Sequence, residues 1–564
     1  MRQWLRETHG PGFELLRHFL LRFFDSDLVT ASGQTTTALI GAISIFLPWF
    51  PTIVGPLKDK YAYVSNLATP DLYRQVVRAD ELWLITLMMS AIGLLTAVKW
   101  QALFPGLADY RVLGSLPLRP RQIFAAKLVA LLVVATAAIV TLNLLPGLLF
   151  PAVSASRWAI NPSLGARVLA HGATCAAASY FFFFALVALQ GVLLNLLRAR
   201  QFARVTASLQ GLLVGTMLIL IVLSFSIQPE ITNRVVQPSL ARWLPPVWFL
   251  GLYQTMMGNP DPAMRSLSHR ALAALAFAVA LVLVTYLASY RRHRALLVEG
   301  VMPPAKYRRW PGLVLDWLIP DPRQQGVIVF LTRTLSGSSQ HRMILMGYGG
   351  FGLAILLSGM IGMREIVEPG KVVAARFIYA HVILLVFLLI GVRHQFSIPV
   401  ELRANWTFQL TEGEGRRQWL RAVDRFVLFP GAVVMLIVPF PLEAWLLGWR
   451  AVGESILFAA FGLLCYEAIF SSWEKLPFTC SHLPARTPMW ITALRLFGLL
   501  GLLPIVNGLL LACLYHRMVF AVVLVILLVS CARVHASRRE GWGELRLKYD
   551  ELPEPAVHSL NLLR

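Results

Sequence analysis

The sequence predicts an all-α protein, a polytopic transmembrane helical bundle of about twelve spans, on three observations. Hydrophobic residues make up 57% of the 564-residue chain and charged residues only 14%, whereas soluble domains are about 25% charged. Long apolar runs recur from one end of the chain to the other. The basic residues that give a net charge of +22 lie between these runs rather than on one face, so the charge does not indicate nucleic-acid binding.

The apolar runs are long enough to cross the hydrocarbon core, which takes about 20 residues per helix. They form two sets of six. The first set is Thr36–Val54, Glu81–Val98, Leu128–Phe150, Val168–Leu196, Ala207–Ile227 and Ala271–Tyr290. The second set is Met343–Ile361, Ala375–Val392, Phe426–Phe440, Val452–Phe470, Ile491–Leu514 and Met518–Val534.

The polar stretch between the two sets divides the chain into halves of similar length, which favours a tandem duplication in parallel orientation. Within that stretch a surface helix is expected over Gln325–Leu335. The predicted regions are an interfacial amphipathic N-terminal segment (1–30), a first six-helix unit (31–295), a cytoplasmic linker (296–340), a second six-helix unit (341–535) and a cytoplasmic tail (536–564).

The distribution of basic residues predicts that both termini are cytoplasmic. Short loops rich in Lys and Arg stay on the cytoplasmic side, and placing both termini and every second loop there puts about 35 of the 51 basic residues inside. Arginine greatly exceeds lysine, which points to a GC-rich bacterial gene. The expected location is therefore the bacterial cytoplasmic (inner) membrane, with many passes through the lipid.

The most informative loop precedes the third predicted span. It reads Leu116-Pro-Leu-Arg-Pro-Arg-Gln-Ile-Phe124, followed by Ala126-Lys127-Leu128. Pro117 and Pro120 are expected to stop the preceding helix and to let a short new helix begin with a cationic face. In both letters and position this loop resembles the cytoplasmic loop of type 2 ABC exporter permeases.

The resemblance implies that the short helix inserts into a cleft of a separate ATP-binding subunit, present as a dimer. ATP and Mg would then belong to the partner, and this chain would carry no cofactor. The second half departs from the pattern, because Pro399 and Glu401-Leu-Arg403 replace its core, so a second contact is expected only from position. Candidate contact residues are Arg111, Arg119, Arg121, Gln122 and Lys127 in the first half, and Arg403, Trp406, Arg416 and Arg417 in the second.

No nucleotide-binding motif such as G-x-x-x-x-G-K-[ST] occurs in the sequence, so we do not expect this chain to be an enzyme or to hydrolyse ATP alone. The alternative interpretation of the loop before the third span is that its basic residues only anchor it on the cytoplasmic side, with no partner protein. A second run like that of the family, Leu244–Tyr253, precedes the sixth span, and its Pro245 and Pro246 are expected to bar a helix from starting.

Polar residues inside predicted spans are candidates for a substrate path, because each is costly in hydrocarbon. Most such residues make hydrogen bonds between helices. The five candidates are Asn143, Gln190, Gln210, Glu467 and Asn507.

Two other function classes stay open. An ion-coupled secondary transporter acting alone would need buried carboxylates or broken helices at mid-membrane; Pro146-Gly147 and Pro430-Gly431 are possible breaks. A membrane enzyme acting on lipid-linked substrates would need a cluster of Asp, Glu and His at a membrane face. The loop that ends at Glu81 is acidic but has no histidine, and no metal site is expected.

Overall fold

The computed structural model describes residues 12–21, 57–66, 69–105, 109, 113, 116, 118–299, 319–366, 371–400, 405–411, 416–470, 476–479 and 489–541. Every element in these ranges is helical. The chain divides into two compact units, Met1–Ala305 and Lys306–Arg564. The boundary lies inside the linker predicted at 296–340. The predicted span Thr36–Val54 lies outside the described residues, as does most of the predicted tail.

The prediction of an all-α membrane bundle is confirmed at that level. Nine helices in the described ranges are long and apolar enough to cross a bilayer, and two further apolar stretches, Ser208–Ser224 and Pro504–Tyr515, are shorter. Large apolar side chains remain on the outside of these helices: Val140, Leu144 and Leu148 are 55%, 58% and 52% exposed. Their spacing of four residues makes a continuous stripe along one helix face, as lipid contact requires.

In its described part the first unit contains ten α-helices longer than three residues and a 3-10 turn over Trp100–Ala102. Residues 12–21 form α1 and residues 57–66 form α2. The others are α3 (Pro70–Val98), α4 (Pro120–Val153), α5 (Leu164–Leu196), α6 (Ala199–Ser224), α7 (Pro229–Val235), α8 (Pro238–Ala241), α9 (Pro245–Met256) and α10 (Pro262–Glu299).

The second unit contains nine helices in its described part. They are α11 (Pro322–Gly337), α12 (Ser339–Ile366), α13 (Val372–Phe396), α14 (Asn405–Thr411), α15 (Arg416–Ala432), α16 (Phe440–Leu447), α17 (Arg450–Phe470), α18 (Met489–Tyr515) and α19 (Arg517–Gly541). The helix α11 confirms the one expected over Gln325–Leu335, and its Leu331 is fully buried in the core of the unit.

The core of the first unit lies where α3, α4, α5 and α10 meet. Ile92, Ile139 and Val187 are buried there, and the rings of Phe104 and Tyr286 stack with centroids 4.7 Å apart. The predicted N-terminal amphipathic segment is helical in α1. Its apolar face does not lie free for lipid, because Leu15 and Phe19 are buried with residues of α4.

The second unit has one large core between α11, α13, α15 and α17. Its centre contains Val382, Trp419 and Phe470, and the ring of Phe470 stacks on that of Tyr466 at 4.9 Å. Because α11 contributes to this core, part of the predicted linker belongs to the folded unit.

The prolines act differently from the expectation. Helix α9 begins at Pro245, so the prolines start this helix rather than bar it: the first helical position needs no N–H donor. Helix α4 continues through Pro146, since membrane helices tolerate proline where neighbouring groups satisfy the backbone. Near Pro430 the helix does change, passing into a π turn over Val433–Ile437.

Candidate functional site

The start of α4 forms an exposed polar surface in the first unit. The backbone N–H of Arg119 donates to Oε1 of Gln122 at 3.0 Å, and the N–H of Gln122 donates to the carbonyl of Arg119 at 2.8 Å. These two bonds cap the helix start and fix its direction. The side chains of Arg119, Arg121 and Gln122 are all exposed. Arg121 and Gln122 lie in the first turn of α4, which begins at Pro120 and continues into the predicted span, so the helix expected at these residues is the start of the spanning helix.

The opposite face of the same turn is anchored in the unit. Ile123 and Phe124 are 2% and 5% exposed, and Lys127 is 4% exposed. The ammonium of Lys127 lies 4.9 Å from the centroid of the Phe19 ring, a cation–π contact with α1. Lys127 therefore lies under the surface that Arg119 and Arg121 expose, and the fifth candidate of this half, Arg111, is outside the described residues.

The candidates of the second half lie on and after α14. Trp406 is 61% exposed and Arg417 is exposed at the start of α15. The short helix α14 is held in place by Asn405, whose Nδ2 donates to the Thr479 carbonyl at 2.6 Å. Arg416 is the first residue of α15, and Arg403 is outside the described residues.

Two of the substrate-path candidates donate hydrogen bonds to backbone carbonyls. Nδ2 of Asn143 donates to the Ile139 carbonyl at 2.8 Å, but its Oδ1 is buried without a partner among the described residues. Nε2 of Gln210 donates to the carbonyls of Ala97 and Val98 at the end of α3, a bond between helices. Gln190 is buried on α5, and Asn507 is half-buried on α18.

The fifth candidate, Glu467, is part of a charged network. Its carboxylate lies 3.1 Å from Nη1 of Arg538 and 2.6 Å from Nδ1 of His535. Arg538 also reaches Asp424 at 2.7 Å, and the Tyr466 hydroxyl donates to the same carboxylate at 2.5 Å. The network joins α15, α17 and α19, so it ties three helices together. The sequence showed Glu467 but not its partners.

The first unit contains a buried pair formed by a histidine and a glutamate. Nδ1 of His171 lies 2.9 and 3.0 Å from the two carboxylate oxygens of Glu81, and both residues are fully buried. Cys175 lies one helical turn further along α5, with Sγ 3.8 Å from Nε2 of His171. The acidic loop that ends at Glu81 was expected to lack a histidine, and the fold supplies one from 90 residues away.

A second polar group stands beside this pair. The carboxylate of Asp80 receives Lys60 at 2.7 Å and the hydroxyl of Tyr61 at 2.7 Å. Burial and, next, the charge of Asp80 raise the pKa of Tyr61 well above its ordinary value. The phenol therefore stays protonated and donates to the carboxylate.

The second unit has a three-membered cluster in its core. Nε2 of His381 lies 3.0 Å from Glu443, and Nδ1 lies 3.4 Å from Glu454. The three side chains come from α13, α16 and α17 and are nearly fully buried. The His381 ring also packs on Phe458 at 4.7 Å.

Both clusters offer atoms of the kind that bind metals. The ligand atoms of Glu81, His171 and Cys175 lie within 4.8 Å of one another, as do those of the cluster around His381. A bound zinc would lie about 2.0–2.2 Å from each nitrogen or carboxylate oxygen. Two such ligands lie about 3.3–3.5 Å apart around a tetrahedral ion, close to the nitrogen–oxygen distances of 2.9–3.4 Å found here. The contacts in each cluster are direct contacts between an imidazole and a carboxylate.

Similarity to known proteins adds no assignment to these sites. Comparisons of the chain with protein-family models, with curated proteins and with solved structures find no match. What remains are the residues themselves and the resemblance of the loop before α4 to that of type 2 ABC exporter permeases.

Proposed function

We propose that this chain is the membrane-spanning permease subunit of an ATP-driven ABC exporter, which couples to separate ATPase subunits through its cytoplasmic loops. The observation that carries the proposal is the segment Leu116–Lys127. Its sequence resembles the contact loop of type 2 ABC exporter permeases, and Arg119, Arg121 and Gln122 stand exposed on its capped helix start. Such a cationic surface suits an acidic cleft on a partner.

Helix α4 offers a mechanical path from this surface. It runs over 34 residues, about 50 Å at 1.5 Å per residue. Near its far end, the Phe150 ring packs on those of His171 and Tyr61, with centroids 5.2 and 6.3 Å away. A displacement at Arg119 would therefore reach the buried pair Glu81–His171 through one rigid element.

In this proposal ATP and Mg bind to a dimer of partner subunits. Nucleotide binding there shifts the balance between two global arrangements of the permease. The exposed start of α4 lies on the cytoplasmic side of a bacterial inner membrane, and both termini lie on the same side. The opposite end of the first unit then faces outward.

Co-purification tests the proposal. The chain is tagged in its own host, solubilised gently, and compared with the double variant Arg119→Glu, Arg121→Glu by mass spectrometry of the bound proteins. An ABC ATPase is expected with the wild type and a loss of at least tenfold with the variant, because two attractive charges become repulsive.

The matched control reverses two arginines at the other end of the unit, Arg157→Glu and Arg234→Glu, both exposed. This variant should retain the ATPase. If no ATPase is recovered with the wild type even after crosslinking, the chain works alone and the exporter proposal is wrong.

One observation favours an ion-coupled secondary transporter as the second candidate. Such carriers use buried titratable groups, and the pairs Glu81–His171 and His381–Glu454 are groups of this kind inside apolar helices. A carrier would purify without an ATPase, so the same experiment separates the two. For a membrane enzyme, Glu81 and His171 are poorly placed, because both are fully buried and cannot reach a substrate without opening of the unit.

A further inference from the structure

The first unit contains a polar cavity at the end away from Arg119. Its volume is about 590 Å³, within the range of small-ligand sites. The first turns of α3 and α5, the start of α10, the end of α4 and the last turns of α9 form its walls. The charged residues that line it are Asp71, Arg74, Arg78, Arg167 and Asp261.

Arg167 is the unusual member of this lining. It is only 6% exposed, and within the described residues its Nε and Nη1 have no hydrogen-bond partner. Nε of Arg78, on the neighbouring α3, is likewise buried without a partner. A buried guanidinium that lacks a counter-charge is strongly unfavourable. An anion bound in the cavity would supply the missing counter-charge.

The carboxylates of this region do not supply that anion. Glu81, one turn away from Arg78 on α3, is held by His171 through both oxygens. Asp261 accepts the N–H of Ala263 at 2.9 Å and caps α10, and Asp71 is exposed in the first turn of α3. The guanidinium of Arg167 therefore remains available to a ligand.

The hydroxyl of Tyr253 can add a further donor. This residue of α9 lines the cavity and is 3% exposed. Burial and, next, the charge of Glu81 raise the pKa of Tyr253 well above its ordinary value. The phenol is thus neutral and able to donate to an oxyanion.

We propose that this cavity binds a small ligand through a phosphate group, which pairs with the guanidinium of Arg167 while Arg78 and Arg74 balance the remaining charge. Guanidinium groups bind phosphate oxygens in pairs. Arg74, Arg78 and Arg167 outnumber Asp71 and Asp261 in the lining, and a phosphate group carries one to two negative charges near neutral pH. The phosphate can belong to a soluble organic phosphate or to a lipid headgroup. The inference is independent of the proposed coupling to an ATPase.

Binding to the purified full chain tests the proposal with two probes. Isothermal titration calorimetry in detergent uses glycerol 1-phosphate, and lipid retention is measured by native mass spectrometry after reconstitution in nanodiscs of phosphatidylcholine with or without phosphatidic acid. We expect Arg167→Gln to weaken binding about 10- to 100-fold, because it removes charge-assisted hydrogen bonds. Arg78→Gln should weaken binding by about 3- to 10-fold.

Arg157→Gln is the matched control, since it removes one exposed arginine from the same end without touching the lining. It should bind within about twofold of the wild type. Binding of glycerol 1-phosphate identifies a soluble ligand, and selective retention of phosphatidic acid alone identifies a lipid headgroup; either result supports the site if it depends on Arg167.

The ligand-free protein gives a second readout. Because Arg167 is unpaired, Arg167→Gln should leave the apparent melting temperature unchanged or raise it. A large fall would mean that the guanidinium has a structural role, which overturns the proposal. The proposal is also wrong if neither probe binds, or if Arg167→Gln and Arg78→Gln both bind as tightly as the wild type.

Discussion

Both units bury an imidazole against a carboxylate between their second and fourth predicted spans, but the histidine and the glutamate lie on opposite members of this helix pair in the two units. In the first unit Glu81 lies on α3, the second predicted span, and His171 on α5, the fourth. In the second unit His381 lies on α13, again the second span, and Glu454 on α17, the fourth. What the units share is attraction between these two helices, not residue identity.

The two pairs differ in their third member. Cys175 stands beside the first pair, whereas a second carboxylate, Glu443, stands beside the other. One imidazole therefore serves one carboxylate in the first unit and two in the second. The consequence is that loss of the histidine should harm the second unit more.

The units also differ between their fifth and sixth predicted spans. In the first unit α7, α8 and α9 fill this connection, and residues of α7 and α9 line the cavity that contains Arg167. In the second unit α18 ends at Tyr515 and α19 begins at Arg517. In the described structure, the helices of this connection thus contribute to the cationic cavity of the first unit, and no such helices stand between α18 and α19 in the second.

The largest expected effect is that of His381→Ala. It leaves Glu443 and Glu454 buried without the imidazole, which should lower the free energy of unfolding by roughly 3–5 kcal/mol. Denaturant titration in detergent micelles, followed by tryptophan fluorescence, measures it. His394→Ala on the same helix is the control and should cost about 1 kcal/mol, because it removes a single hydrogen bond to Tyr348. Equal losses would show that the cluster does not stabilise the unit.

Exchanging Glu81 and His171 by mutation should preserve the pair in the first unit. Glu81→His and His171→Glu each break the first pair and should each cost about 3 kcal/mol. The double variant restores one imidazole and one carboxylate in the order found in the second unit, so we expect it to recover at least half of the summed loss. The same denaturant titration gives the coupling energy of the cycle. A double variant as unstable as the sum of the singles contradicts the equivalence of the two pairs.

The connection found only in the first unit can be tested at Gly251. A Cβ there would lie 2.5 Å from the Cβ of Leu267 and 2.8 Å from the Met264 carbonyl, so Gly251→Ala should push α9 away from α10 and cost about 1–3 kcal/mol. Gly172→Ala is the control, because a Cβ at this helical glycine meets nothing within 4 Å. It should be neutral or stabilise by up to about 1 kcal/mol.

The smallest expected effect is that of Tyr61→Phe beside the first pair. It removes one hydrogen bond to Asp80, which keeps Lys60, and should cost about 1–2 kcal/mol at neutral pH. Because the pKa of Tyr61 is raised in the fold, this contribution is fully present below the unfolded pKa near 10 and declines as the pH rises above it. The difference between Tyr61→Phe and wild type, followed from pH 8 to 11 by thermal melting, should therefore shrink above about pH 10. A pH-independent difference would contradict this assignment.

Much of the fold could be predicted from local pattern. Where a predicted span falls in the described ranges, helix covers most of it, because an apolar run of about 20 residues has few alternatives in lipid. The exceptions are the last three residues of Ala207–Ile227, which follow the end of α6, and the span Phe426–Phe440, where α15 passes into a π turn and then a turn before α16. The predictions that prolines would bar or break helices were wrong at two places, since Pro245 starts α9 and Pro146 leaves α4 intact. A proline has opposite effects at the first position and in the interior of a helix, and the sequence alone does not say which position it occupies.

The sequence by itself determined that this chain is helical and membrane-embedded, and it marked the exposed turn at Arg119. Only the tertiary structure decided which buried polar groups meet. Glu81 and His171 are 90 residues apart and Arg538 and Asp424 are 114 apart, and no periodicity links such distant positions. Composition and spacing report how each helix faces its surroundings. The partners of a charge are settled only when helices pack, because a buried charge without a partner is too costly to keep.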